Sequence, residues 1–207
     1  MRPFILAFSA ILAALALSAC QKAAQGATSG DMSMGSPNAK VTMIEYASVA
    51  CPHCAEWNDT VFPAFKAKYI DTGKVRYVVR EALTGDPAVA AAGFLTAHCA
   101  GKGKYFQVVD AIYHAQPEME RTGDPHAVLL DIARSAGLTD AQFQACITNE
   151  AALNALQSRW NRYVTVDKIT GTPTYVINGK VYANGAMSMP QLDAAVAQAE
   201  TGGKPVS

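Results

Sequence analysis

The order of secondary-structure patterns along the chain constrains its fold more than any other sequence feature. Two stretches typical of buried strands, 41–47 and 75–80, flank a helical pattern near the start. Further strand patterns follow residue 173, while the region from about 87 to 163 has the apolar spacing of five helices. A strand, helix, strand order favours a parallel strand pair. We therefore expect one α/β domain, interrupted by an all-helical insertion at about 83–163.

Local signals place several of these elements more closely. Asn178-Gly179 between two short apolar runs predicts a β-hairpin. Pro63 is expected to kink the first helical pattern, because proline cannot supply the helical N–H. Asp124 and Thr139 are expected to begin helices of the insertion, and the helix that starts at Tyr105 is expected to end near His114.

Charge and composition exclude two broad classes of protein. Lys and Arg number 17, as do Asp and Glu, which removes the electrostatic basis for nucleic-acid binding. Half of the residues are apolar, which is too many for a disordered chain. The chain is long enough to bury a core without depending on its five cysteines.

The N-terminus has the pattern of an export signal. Residues 4–17 are apolar and uncharged, and as a helix they would span about 21 Å, less than a hydrocarbon core of about 30 Å. They therefore predict a signal peptide rather than a permanent span. The segment Leu17-Ser18-Ala19-Cys20 resembles the lipobox of bacterial lipoproteins, which implies removal of 1–19 and lipidation of Cys20.

The alternative is an ordinary secretory signal with Cys20 incidental, and either signal exports the chain to an oxidising compartment. Gln21 after the cysteine resembles the enterobacterial pattern for sorting to the outer membrane. Residues 20–38 are small and polar and predict a flexible linker. Met32 and Met34 within it leave a soft copper site open as an alternative.

The motif Cys51-Pro52-His53-Cys54 carries the predicted chemistry. It follows a strand pattern and opens a helix, where backbone N–H groups and the helix dipole favour a thiolate at Cys51. Pro52 suits the first helical turn, and His53 can add a donor or a positive charge. Cys54 comes one turn later, within reach of a disulfide with Cys51. The motif therefore predicts a redox pair.

Two other interpretations of these cysteines stay open. A Cys-x-x-Cys motif can be half of a zinc site, which Cys99 and Cys146 would complete. The pair can also be a purely structural disulfide. The export signal and the Pro-His dipeptide between the cysteines argue against zinc, and a structural disulfide across a four-residue loop is uncommon.

The succession of strand, Cys-Pro-His-Cys helix, strand, helical block, Gly171-Thr172-Pro173-Thr174, hairpin and helix resembles the DsbA family of thiol–disulfide oxidoreductases. The resemblance covers most of residues 39–200. It implies a thioredoxin-like fold with an inserted helical subdomain. It also implies that Cys51 is the exposed nucleophile and that Cys54 is the buried resolving cysteine.

The resemblance assigns further roles beside the redox pair. Pro173 would be a cis-proline packed next to it, and the backbone of Thr172 would pair with the substrate chain. Glu45 falls where the family often keeps a buried acid that helps proton transfer from Cys54; the alternative is a satisfied edge-strand residue. The best-known enterobacterial oxidase has valine in place of Thr172, which leaves the direction of electron flow less secure than the fold.

Some DsbA-like proteins carry a second disulfide in the helical subdomain, which a Cys99–Cys146 bond would match. Two buried free thiols are the alternative. Both cysteines fall on predicted helices of the insertion.

We predict from these features an envelope oxidase that forms disulfides in exported proteins with free cysteines. It would act as a monomer, without a metal or an organic cofactor, and a membrane-bound quinone-linked protein would reoxidise it. One rival is a reductase or isomerase on the same fold. A rival of another class is a non-enzymatic metal-binding lipoprotein or copper chaperone.

Overall fold

A computed structural model describes residues 30–202 of the chain, and Cys20 with the predicted signal lies outside them. The strands are β1 Met32–Met34, β2 Val41–Ala47, β3 Val75–Glu81, β4 Thr174–Ile177 and β5 Lys180–Asn184. The helices are α1 Pro52–Thr60, α2 Phe62–Phe65 (continued by a π-helical turn Lys66–Ile70), α3 Pro87–Cys99, α4 Tyr105–Thr122, α5 Pro125–Ser135, α6 Asp140–Ile147, α7 Glu150–Thr165 and α8 Met189–Glu200. None of the helices in this part of the chain is long and apolar enough to cross a membrane.

The five strands form one mixed sheet in the order β1-β3-β2-β4-β5. β2 and β3 are parallel, as predicted, and the other pairs are antiparallel. Asn178 and Gly179, with φ of 46° and 82°, make the predicted turn between β4 and β5. β2 lies at the centre of the sheet, so Glu45 is not on an edge strand, and this removes the alternative proposed for it.

Strand alternation gives the sheet two apolar faces. One face packs against the helices that begin and end the α/β domain, and its core includes Met43, Tyr77, Tyr175, Trp57, Phe65 and Leu192. The opposite face packs against α7, through Ile44, Val78, Val176 and Tyr163. The sheet is therefore covered on both sides, as expected for parallel strands at its centre.

Helices α3 to α7 form the predicted all-helical insertion, with Asp124 and Thr139 as N-caps. α4 is longer than predicted and continues through Pro117 to Thr122. Met119 in this extension is buried in the helical core, and Gly123 ends the helix with a φ of 66°. The packing of Met119 therefore outweighs the hydrogen bond that Pro117 removes.

A disulfide joins Cys99, at the end of α3, to Cys146 in α6. The two cysteines are 47 residues apart in sequence. Closing a loop of this length in the unfolded chain corresponds to about 4 kcal/mol of stabilisation in the chain-entropy account. Both sulfurs are bonded to each other within the helical subdomain, so Cys99 and Cys146 do not complete a zinc site with Cys51 and Cys54.

The structure corrects the prediction of a flexible linker over residues 20–38 at its C-terminal end. Met32–Met34 forms β1, antiparallel to β3, and Met32 is buried. The reason is a buried ion pair: Asp31 Oδ2 lies 3.3 Å from Nε of Arg80, and both side chains are 1% exposed. Since the guanidinium of Arg80 is buried, it needs an acidic partner. The residues around these methionines are small and have no strand pattern, so the sequence does not predict β1 or its contact with Arg80.

Candidate active site

Cys51 occupies the N-cap of α1, with Pro52 as the first helical residue. β2 ends four residues earlier at Ala47, and the Cys51 N–H donates to the Ser48 carbonyl at 3.0 Å, which closes the intervening turn. The Cys51 sulfur therefore lies at the N-terminal end of α1, where the backbone N–H groups of His53 and Cys54 lower the pKa of its thiol. The first turn contains no acidic residue that would oppose a negative charge there.

The environment favours the ionised form of Cys51. The pKa of its thiol is lowered from 9.0 to about 5, chiefly because the Cys54 thiol donates a hydrogen bond to it. Burial opposes this effect, while the Thr172 side chain and the backbone N–H groups of Cys54 and His53 add to it. Cys51 is therefore a thiolate at neutral pH when the pair is reduced.

Cys54 has the opposite character. Burial raises the pKa of its thiol far above the ordinary value, and the nearby charges of Cys51 and Glu45 raise it further. Cys54 is fully buried, whereas Cys51 is 6% exposed. Cys51 is thus the more accessible sulfur, but it is less exposed than the sequence predicted, because the loop that contains Thr172 covers it.

The bond between Thr172 and Pro173 is cis, and Pro173 is buried. The Thr172 carbonyl oxygen lies 3.4 Å from the Cys51 Sγ. Two segments that are 121 residues apart in sequence therefore meet at the redox pair.

His53 contributes through its backbone rather than through its ring. Its imidazole is 77% exposed, and Nδ1 lies 3.9 Å from the Glu56 carboxylate. The predicted donation from the side chain is not seen, because the ring extends into solvent along α1. The His53 backbone N–H instead stabilises the Cys51 thiolate.

Glu45 is buried behind the pair and is held by Tyr77, whose hydroxyl donates to Glu45 Oε2. Burial raises the pKa of the Glu45 carboxyl to about 8, against the effect of this hydrogen bond. Tyr175 on β4 lies directly opposite Glu45 in the sheet register and is fully buried. Glu45 is therefore neutral at pH 7 and carries a proton near Cys54. A charged Glu45 would raise the pKa of the Cys54 thiol.

Two residues that the sequence analysis did not select also shape the site. Gln116 Nε2 on α4 donates to the carbonyls of Val49, at 2.8 Å, and of Cys51, at 3.2 Å. Gln116 thereby ties the helical subdomain to the active-site turn. The Thr84 hydroxyl lies 2.6 Å from that of Thr172. Neither residue stands in a motif, so only the three-dimensional structure reveals them.

Metal chemistry has no comparable support in the part of the chain that the structure describes. No group of three or more His, Cys, Asp or Glu side chains in residues 30–202 could hold a metal ion. Met32, one of the possible copper ligands, is packed in the core.

Comparisons with known proteins agree with this geometry. A family model described as thioredoxin matches residues 27–198. The thiol:disulfide interchange protein DsbL of Escherichia coli O6:H1 is 30% identical over 173 residues, which cover 76% of this chain and 77% of DsbL. The chain belongs to the DsbA family of thioredoxin-like proteins.

Other members and structures fit this assignment. A protein of Rickettsia typhi named as a protein-disulfide oxidoreductase is 33% identical over 150 residues, which cover 72% of this chain and 55% of that protein. The chain thus spans little more than half the length of the rickettsial relatives it matches. The crystal structure of Wolbachia pipientis alpha-DsbA1 matches with a TM-score of 0.73 and 26% identity, over 86% of this chain and 96% of that one. The predicted thioredoxin-like fold with a helical insertion is therefore confirmed.

The first prediction concerns the ionisation of Cys51. In the reduced protein, the rate of Cys51 alkylation should titrate near pH 5, because the thiolate is the nucleophile. Cys54→Ala should move the midpoint upward, since it removes the strongest donor. A midpoint near the ordinary thiol pKa of 9.0 would contradict this account.

The same shift has a consequence for stability. Because the folded-state pKa is depressed, the thiolate stabilises the reduced protein relative to Cys51→Ser. This stabilisation is complete above about pH 9 and is lost as the pH falls through 5. Chemical denaturation of the two reduced proteins across this range measures it.

Proposed function

We propose that this protein is a thiol–disulfide oxidoreductase of the bacterial envelope that forms disulfides in exported proteins. The observation that carries the proposal is the asymmetry of the pair: a stabilised Cys51 thiolate beside a protonated, buried Cys54. Stabilising the thiolate favours the dithiol over the disulfide, which makes the Cys51–Cys54 disulfide a strong oxidant. The names of its relatives support the same class of activity.

The reaction begins with the pair as a disulfide. A thiolate of the client attacks the Cys51 sulfur, the Cys51–Cys54 bond breaks, and Cys54 leaves with the electron pair. Cys54 then takes a proton, for which the neutral Glu45 carboxyl is the buried source. A mixed disulfide now joins the client to Cys51.

A second client thiolate attacks the client sulfur of the mixed disulfide. The bond to Cys51 breaks, and Cys51 leaves as the stabilised thiolate. The client gains a disulfide and loses two electrons, which stay on the reduced pair. Since a low-pKa thiol leaves fast, the low pKa of Cys51 favours this release.

The surrounding residues and partners follow from this scheme. Pro173 and the Thr172 backbone would present a strand-like edge to the client beside Cys51, and Cys99–Cys146 would brace the helical subdomain. The clients are exported proteins with free cysteines. A membrane-bound quinone-linked protein would accept the two electrons and restore the disulfide. No metal or organic cofactor takes part.

Oxidation of a reduced client tests the proposal. The oxidised protein, mixed in equal amounts with an unfolded client that carries two cysteines, should convert it to the disulfide form. Cys51→Ser and Cys54→Ser should each leave the client reduced, because a single cysteine cannot form the disulfide that accepts the two electrons of the client. Gel shifts after thiol alkylation separate these species.

Cys51→Ser and Cys54→Ser are matched controls, since each removes one sulfur of the same pair. Client oxidation that survives in Cys51→Ser, or a wild-type protein that reduces client disulfides instead, would contradict the proposed direction.

Glu45→Gln tests the proton source. The variant keeps an acceptor for the Tyr77 hydroxyl but cannot release a proton. We expect the formation of the mixed disulfide to slow by roughly tenfold or more at neutral pH. Rapid-mixing kinetics should show a dependence on ionisation near pH 8 in the wild type that the variant lacks.

A stability measurement separates this role from a structural one. Because burial raises the Glu45 pKa to about 8, Glu45 ionises in the unfolded chain but stays protonated in the folded protein between about pH 4.5 and 8. The free energy of unfolding of the wild type therefore falls as the pH rises through this range. Glu45→Gln should therefore gain stability relative to wild type over that range. Unchanged kinetics in a stable variant would remove Glu45 from the mechanism.

We also propose that Cys20 carries the lipid that anchors the protein, with the outer membrane as the favoured location. Several acyl chains would hold it stably where one would not. Cys20→Ser should move the protein from the membrane fraction to the soluble fraction, as measured by centrifugation of envelope preparations. A variant that stays with the membrane would contradict lipidation at this residue.

A further inference from the structure

A pair of threonine hydroxyls lies beside the redox pair, and the mechanism above does not use it. Thr84 Oγ1 and Thr172 Oγ1 are 2.6 Å apart, a short hydrogen bond between segments 88 residues apart in sequence. Thr84 lies between the end of β3 and the start of α3. Both residues are half-buried.

The position of Thr84 is fixed by the turn that precedes Cys51. The buried Ser48 Oγ donates to the Thr84 carbonyl oxygen at 2.8 Å. Gly85 has a φ of +76°, and a Cβ at this position would lie 2.3 Å from the Ala50 carbonyl oxygen. The close approach of the two loops therefore depends on backbone contacts and on glycine, not on the Thr84 side chain.

The number of protons on the two hydroxyls sets what the pair can do. Each threonine hydroxyl has one proton to donate and can also accept. The Thr172 carbonyl oxygen lies 3.4 Å from the Cys51 sulfur, and the side chain of the same residue lowers the pKa of the Cys51 thiol, as a donor to the thiolate does. If the proton of the Thr172 hydroxyl points to Cys51, the hydrogen bond between the threonines must have Thr84 as the donor. A hydroxyl that accepts a hydrogen bond is polarised and becomes a better donor itself.

The state of Cys51 determines which arrangement is favoured. In the reduced protein the thiolate attracts the Thr172 proton, so Thr84 donates to Thr172, which donates to sulfur. In the disulfide the sulfur has no negative charge, and the direction of the threonine pair is no longer fixed. The pair therefore interacts more strongly with the reduced form than with the oxidised form.

We propose that Thr84 is a positioning residue of the redox site, whose hydroxyl orients that of Thr172 toward the Cys51 thiolate and so stabilises the reduced pair. The inference rests on the proposed function, because it concerns the ionisation of Cys51 as the reactive thiol. It assigns a role in tuning the pair to a residue outside every motif of the sequence.

A double-mutant cycle tests this proposal. The proteins are wild type, Thr84→Val, Thr172→Val and the double variant, each reduced, with the Cys51 pKa measured from thiolate ultraviolet absorbance against pH. Valine has nearly the shape of threonine, and the Ser48 bond to the residue-84 carbonyl remains. Thr84→Val should raise the Cys51 pKa by about half a unit to one unit, which corresponds to a roughly threefold to tenfold change in ionisation.

The double variant shows whether Thr84 changes the Cys51 pKa through the Thr172 hydroxyl. In the Thr172→Val background, Thr84→Val should change the pKa no further, because the hydroxyl through which it acts is gone. Thr84→Ser should retain the wild-type pKa, since serine keeps the donor. Thr96→Val is the matched control: the buried Thr96 hydroxyl donates to the Ala92 carbonyl within α3, and its loss should leave the Cys51 pKa unchanged.

An unchanged pKa in Thr84→Val, or an equal shift with and without the Thr172 hydroxyl, would overturn the proposal. Thr84→Ala provides a second variant if valine does not fit. The pKa is read on the reduced protein alone, so it does not depend on which way electrons flow. A wild-type protein that fails to oxidise clients would refute the proposed function while leaving this measurement to stand or fall separately.

Discussion

The hydrogen bonds that end on the Cys51 sulfur are the interaction around which this site is built. They come from the Cys54 thiol and from the first backbone N–H groups of α1, so they require the helix to begin at Cys51. The helix begins there because β2 ends at Ala47 and the turn between them is closed on Ser48. Gln116, reaching from the helical subdomain, fixes the carbonyls of the same turn.

The magnitude of this stabilisation indicates a direction for the chemistry. With a Cys51 pKa of about 5, the thiolate is favoured over the thiol about a hundredfold at pH 7, which corresponds to about 3 kcal/mol. Stabilising the reduced pair by this amount would raise its two-electron reduction potential by on the order of 60 mV. Cys54 stays protonated because burial opposes its ionisation, and Glu45 stays neutral for the same reason. Burial thus confines the negative charge to Cys51, the more accessible of the two sulfurs.

Much of this arrangement follows from local sequence patterns, and the rest depends on contacts that sequence cannot display. Asn178-Gly179 predicts its hairpin because few residues accept positive φ, and the spacing in Cys-Pro-His-Cys places both sulfurs on one turn of α1. β1 was missed because its strand is three residues long and depends on Asp31 meeting Arg80, 49 positions away. Thr84 and Gln116 likewise act across long separations.

Tyr77 is a residue that the sequence could have revealed, since the parallel pairing of β2 and β3 places it on the same face of the sheet as Glu45. The orientation of the His53 ring had no signal in the sequence.

The equilibrium of the Cys51–Cys54 pair with glutathione tests the central claim most directly. It can be measured on a protein that begins after Cys20, with the fraction of disulfide determined over a series of glutathione ratios. We expect a reduction potential well above that of thioredoxin, which is about −270 mV, because the stabilised Cys51 thiolate favours the reduced form. A potential at or below the thioredoxin value would contradict the claim that this site is a disulfide donor, and would identify it as a reductant.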